Sequence, residues 1–141
     1  MPRSVSSLVI LAAAALAACA ANPKPGEPGY PYNLSGPYQA VFLVEGTPYR
    51  GTMALSTAQG GVVSGNLTVI DPVRVVGTVE GMIVADTIRF EMPYEILDNG
   101  CAGTVGGAAP VAAGGGGFDG PVQLDDSCSG ALSGTITVTR Q

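Results

Sequence analysis

The sequence predicts an all-β protein, an antiparallel up-and-down meander of about eight strands closed into a small barrel. Three observations predict it. No stretch of eleven or more residues repeats its apolar positions at helical spacing. Short runs rich in β-branched residues are broken by Gly, Pro, Asn or Asp every eight to twelve positions. One pattern also recurs, a glycine followed by alternating apolar and small polar residues. It reads YRGTMAL (49–55), VSGNLTV (63–69), VVGTVEG (75–81), CAGTVGG (101–107), FDGPVQL (118–124) and LSGTITV (132–138). The unit is shorter than the roughly 20 residues a solenoid repeat needs, so it describes strands of one coiled sheet. A two-sheet β-sandwich with the same hairpins is the alternative.

The strands are expected at about 37–45, 48–56, 62–70, 73–80, 82–92, 101–109, 116–124 and 128–139. Alternation assigns their faces. Val63, Leu67 and Val69 share one face with Gly65, whereas Ser64, Asn66 and Thr68 share the other. In the last strand Leu132, Ile136 and Val138 oppose Ser133, Thr135, Thr137 and Thr139. One dry face and one wet face suit an antiparallel sheet. Glycine on the dry face lets a strand bend and another side chain cross it, as closure of a narrow barrel requires. The links are too short for parallel crossovers, which need a dozen or more residues. Val79 to Phe90 does not fit a single register, and a bulge at Gly81 with a turn at Ala85-Asp86 would reconcile it.

Such a meander over Gly36 to Arg140, with the last strand closing on the first, resembles the calycin group of lipocalins, avidins and similar small barrels. The resemblance is architectural. The lipocalin Gly-x-Trp opening is absent, because the chain has no tryptophan. Avidin-like biotin sites lean on tryptophan, so biotin binding is not implied.

The N-terminus carries an address. Arg3 supplies a positive charge, and Leu8 to Ala18 is an unbroken apolar run of eleven residues. As a helix that run rises about 16 Å, about half of a hydrocarbon core, which suits a signal peptide and not a membrane span. It ends Leu16-Ala17-Ala18-Cys19, which resembles the lipobox of bacterial lipoproteins. The resemblance implies cleavage before Cys19, a diacylglycerol on its sulfur, and a lipid-anchored protein of the bacterial cell envelope, at the outer membrane or the periplasmic face. Two or more acyl chains anchor stably where one does not. Residues 1–18 are thus read as a signal peptide, 19–35 as the lipidated cysteine with a tether, and 36–141 as the barrel domain. The tether, with Pro23, Pro25, Pro28 and Pro31 and no periodic apolar face, is read as a disordered linker. Tyr30, Tyr32 and Tyr38 offer two other roles, docking on the domain or lying at the membrane interface.

Without Arg3, five basic residues face eleven acidic ones, a net charge of −6. No basic cluster exists to hold nucleic acid or anionic lipid, so membrane association is expected to come through the lipid on Cys19. With Cys19 assigned to lipid, Cys101 and Cys128 remain, and in an exported protein they are expected to pair. A redox pair or metal site is disfavoured by their wide spacing and by the absence of histidine and of a CxxC motif. The bridge would restrain a glycine-rich stretch that includes Gly114 to Gly117.

Little points to catalysis, and the chain is expected not to be an enzyme. No histidine is present to activate a nucleophile. Glu91 with Glu95 and Asp125 with Asp126 are the carboxylate pairs, and both are read as solvated groups. Asp98-Asn99-Gly100 lacks the further acidic ligands of a calcium loop and is read as a type I′ hairpin turn. No cofactor or metal is expected. The favoured function is a monomeric binding module. Tyr38, Phe42, Tyr49, Phe90, Tyr94 and Phe118 either line the mouth of a cavity for a small lipophilic ligand or plug the core. The alternative is a protein-interaction or hydrolase-inhibitor module on the envelope, its acidic surface suiting a basic partner.

Overall fold

A computed structural model describes residues 22–141. The expected signal peptide and Leu16-Ala17-Ala18-Cys19 lie outside the described residues. Eight strands follow in order: β1 (Gly36–Val44), β2 (Thr47–Thr57), β3 (Val62–Asp71), β4 (Val75–Val84), β5 (Thr87–Ile96), β6 (Ala102–Pro110), β7 (Gly117–Asp126) and β8 (Gly130–Arg140). Each pairs antiparallel with its chain neighbours, and β8 returns to β1 to close the barrel. Closure rules out the sandwich. Six strands fall within two residues of their expected limits.

The exceptions are β4 and β5. Their register runs unbroken past Gly81, with Glu80 opposite Glu91 and Met82 opposite Arg89, so the expected bulge at Gly81 is absent. The turn at Ala85-Asp86 is present, and Ala85 has a positive φ of 53°. Met82 and Val84 point outward and are exposed. Apolar residues on the wet face had blurred the alternation. The bulge lies instead between Arg50 and Gly51, where the β2–β3 register shifts. The unmatched residue of β3 is Ile70, 72% exposed.

The dry face points into the barrel as alternation requires. Val63, Leu67, Val69, Ile136 and Val138 join a core with Met53, Val79, Ile88, Met92, Val105 and Val122. An eight-stranded barrel is about wide enough for side chains to fill it. The recurring glycines mark where neighbouring strands press together. A Cβ on Gly51 would lie 2.0 Å from the carbonyl oxygen of Thr68, and one on Gly134 would lie 2.1 Å from that of Leu43. No side chain fits at that separation, so the repeat records strand crossings.

The barrel has two unlike ends. One end, where β1 begins, is closed by residues 22–35, which wrap across it. Leu34 is fully buried, and its backbone N–H and C=O both bond the Thr57 hydroxyl. Gly60 N–H donates to Pro25 O, Gly114 N–H donates to Pro31 O, and the Tyr30 hydroxyl donates to Ala85 O. The expectation of a disordered linker is therefore corrected over residues 22–35, which form a strap docked on the domain. Proline and glycine rule out a helix or a central strand here. They do not prevent a loop from packing.

Arg140 locks the same end. Its guanidinium lies 5.3 Å above the Tyr38 ring and donates to Tyr38 Oη, Ser35 O and Gly115 O. Tyr38 in turn donates to Gly115 O, in a single 3-10 turn at Ala113–Gly115. Burial pushes the Tyr38 phenol above its ordinary range, against the opposing pull of Arg140.

Candidate functional site

The opposite end is open. A recess of about 110 Å³ enters the barrel there. Its walls are Phe42, Val44 and Tyr49 from the β1–β2 hairpin, Leu67, Val69 and Val75 from β3 and β4, Tyr94 and Ile96 from β5, Val105 from β6, and Leu124 and Leu132 from β7 and β8. Asp126 and Ser129 add polar groups at the β7–β8 turn.

The six aromatic candidates therefore separate. Phe42, Tyr49 and Tyr94 line the recess. Tyr38, Phe90 and Phe118 do not; they are buried, with the Phe90 and Phe118 rings 5.4 Å apart and Tyr38 in the Arg140 cluster. Three of the six thus border the recess and three sit deeper in the core.

Asp126 corrects the expectation of a solvated turn carboxylate. It is only 7% exposed. Its Oδ2 accepts a 2.6 Å hydrogen bond from the Tyr94 hydroxyl, and its Oδ1 accepts the backbone N–H groups of Cys128 and Ser129 at 2.8 and 2.9 Å. The Tyr94 hydrogen bond, with the two backbone donors, holds the Asp126 carboxyl below the usual carboxylate range despite its desolvation. Burial and the adjacent carboxylate push the Tyr94 phenol far above its ordinary value. The carboxylate is thus the ionised partner and the phenol the neutral one. Asp125 points outward and is exposed, as are Glu91 and Glu95 on the wet face of β5. Asp125 and Asp126 thus face opposite sides of β7, and Glu91 and Glu95 stand four residues apart along β5.

Cys101 and Cys128 are bonded, with Cα atoms 5.7 Å apart. Their sulfurs and the Asp126 carboxylate lie within 4.8 Å of one another, but metal binding uses thiolates, which a disulfide lacks. The bridge ties the β5–β6 loop to the β7–β8 turn beside the recess. That loop is also longer than the expected type I′ turn, because β5 ends at Ile96 and β6 starts at Ala102. Asp98 uses the extra length to bond the backbone and guanidinium of Arg74, which lowers its carboxyl below the usual range.

Charge divides between the two ends. The open end carries Glu45, Asp71, Glu95, Asp98, Asp125 and Asp126 against Arg50 and Arg74. The closed end carries Glu27, Asp86 and Asp119 with Lys24, Arg89 and Arg140, and Glu80 and Glu91 face each other mid-strand on the outer surface. Among the described residues the ion pair is Arg74–Asp98, so Asp126 has no cationic partner.

No protein-family profile matches the chain, and no curated protein does. Solved structures do. A redesigned beta barrel, b11L5F_LGL, is 19% identical, with a TM-score of 0.58 over 77% of this chain and 91% of that one. EF1p2_mFAP2b bound to DFHBI is 15% identical, with a TM-score of 0.58 over 77% and 94%. The redesigned beta barrel mFAP1, bound to DFHBI, is 17% identical, with a TM-score of 0.53 over 76% and 94%. At these identities the likeness is one of fold. Fold and geometry together define a closed eight-stranded meander barrel with one plugged end and one open end.

Proposed function

We propose that the protein is a lipid-anchored envelope protein whose barrel is a non-catalytic binding module for a small, largely apolar ligand. The supporting observation is the recess at the open end, apolar on nearly all sides and bearing one hydrogen-bonded polar pair, Tyr94 and Asp126. Small-molecule sites combine apolar walls with a few placed polar groups in this way. Two of the barrels of similar fold are described as bound to DFHBI. The recess of about 110 Å³ is below the roughly 150 Å³ that takes benzene in an engineered cavity, so a ligand enters by one apolar end and protrudes.

The anchor has a geometric consequence. Cys19 precedes Asn22 by three residues, a reach of roughly 10 Å even when extended. The strap that follows is docked on the closed end. A lipid on Cys19 then holds the closed end, the less acidic of the two, against the membrane and directs the acidic open end away from it. The recess is therefore served from the aqueous side, not from the leaflet that holds the anchor.

Two measurements test this reading. Mass spectrometry of the mature protein should find a diacylated Cys19 at the N-terminus, lost in Cys19→Ser; an unmodified chain starting beyond Cys19 would refute the anchor. Native mass spectrometry of protein released from envelopes should find a bound small molecule that dissociates when Leu132→Trp fills the recess. A chain that carries no adduct and gains none from envelope extracts would refute the binding role.

A further inference from the structure

We infer that the ligand is a cationic amphiphile, an alkyl or aryl ammonium whose apolar tail fills the recess and whose charged nitrogen meets Asp126. This rests on the reading of the recess as a binding site and adds the class of ligand it selects. Three features carry it. Asp126 is a carboxylate set in an otherwise apolar wall and almost wholly buried, with three hydrogen-bond donors but no cation. Those donors keep the carboxylate ionised, and in a recess of low dielectric its attraction for a ligand ammonium is stronger than in water. Oδ2 accepts one hydrogen bond, from Tyr94, and a carboxylate oxygen has a second lone pair for an N–H donor.

The aromatic walls fit the same ligand. Phe42, Tyr49 and Tyr94 line the recess, and aromatic rings attract an ammonium that sits over them. The rim then selects by charge at longer range. Glu45, Asp71, Glu95 and Asp125 outnumber Arg50 and draw cations toward the open end and repel fatty-acid anions, whereas Arg74 and Asp98 neutralise each other. A fatty acid would have to place its carboxylate beside that of Asp126. A neutral lipophile would gain no charge–charge attraction from Asp126.

The test uses probes with one tail and three heads: n-hexylamine, 1-hexanol and hexanoate. Chemical shifts of residues 19–141 are followed by NMR during titration at neutral pH, in low and in high salt. Hexylamine is expected to bind about tenfold tighter than hexanol, because charge-assisted hydrogen bonds are about twice as strong as neutral ones. It should shift the ring signals of Phe42, Tyr49 and Tyr94 and the amides of Cys128 and Ser129. Hexanoate is expected to bind most weakly. Asp126→Asn should bring the amine-to-alcohol affinity ratio close to one, and Tyr94→Phe, which keeps the carboxylate, should preserve it.

Equal binding of hexylamine and hexanol in the recess would overturn the cation preference and leave the apolar binding site standing. Shifts confined to the outer acids would overturn it as well. Absence of binding by all three probes would overturn both readings. If Asp126→Asn does not fold, the wild-type shift pattern and affinity ratio decide the matter alone.

Discussion

Tyr94 on β5 and Asp126 on β7 are joined across an intervening strand by a glycine. Gly103 of β6 lies opposite Tyr94 on one side and opposite Asp126 on the other. The 2.6 Å hydrogen bond between the two side chains spans the place where Gly103 has none. A Cβ there would lie 2.8 Å from the Tyr94 hydroxyl and 2.1 Å from Asp125 O.

Gly103→Ala is therefore expected to destabilise the protein by about 3 kcal/mol, from a strained crossing and a weakened hydrogen bond. Gly106→Ala, three positions along, is the control. A Cβ at Gly106 would meet only Phe90 O, at 3.8 Å, so the change should be neutral or stabilise by about 0.5 kcal/mol through a less flexible unfolded chain. Urea unfolding of both variants measures the contrast; equal losses would refute it.

Alkaline pH should act through Tyr94. Its folded pKa is raised above the unfolded value near 10, so its contribution to stability is complete below about pH 10 and is lost as pH climbs further. Tyr38, also raised, adds to the same limb. Tyr94→Phe should flatten the loss of stability above pH 10. It should also leave the tyrosinate absorbance gained below pH 11 unchanged, since Tyr94 is still protonated there in the wild type.

Acid should act through Asp126. Its folded pKa is lowered, so its contribution is present above the unfolded value of about 3.9 and is lost as pH falls through the folded pKa. Asp126→Asn is expected to cost about 2–3 kcal/mol at pH 7, because hydrogen bonds to a charged acceptor are exchanged for weaker ones. The gap between variant and wild type should narrow below pH 4 in urea titrations repeated across that range.

Reduction of Cys101–Cys128 should lower stability by roughly 3–4 kcal/mol, the chain-entropy value for a loop of this length. The closure spans 27 positions and includes the glycines of the closed end. Comparing urea midpoints with and without reductant checks the figure.

The strap should behave as part of the fold. Leu34→Ala removes a fully buried side chain and is expected to cost about 2–4 kcal/mol. Arg140→Met should cost about 1–3 kcal/mol, because Ser35 O and Gly115 O lose their guanidinium donors. A tether that merely links would leave the urea midpoint of Leu34→Ala where it was.

The barrel was legible in the sequence because its signals are local. A strand alternates every second residue, turn residues punctuate it, and a glycine marks each tight crossing. Where outward residues are apolar, as at Met82 and Val84, the same signal misplaced two strands. The strap was misread for a different reason. Pro23 to Pro31 report on local backbone freedom, whereas docking depends on Tyr30 and Leu34 finding Ala85 and Thr57 farther along the chain. The aromatics were identified as interior residues, yet which three line the recess depends on how far along its strand each one sits from the strap.

Residue order by itself determined the all-β class, the meander, the inward face of most strands and the disulfide partners. Each follows from short-range periodicity or from simple pairing. Only the tertiary structure decided that one end is plugged, that the other holds a recess, and that Asp126 is buried under Tyr94 while Asp125 faces water. Those outcomes depend on contacts between residues 32 to 105 positions apart: Tyr94 meets Asp126 only once β6 pairs with both β5 and β7, and Ser35 meets Arg140 only once the last strand has closed on the first.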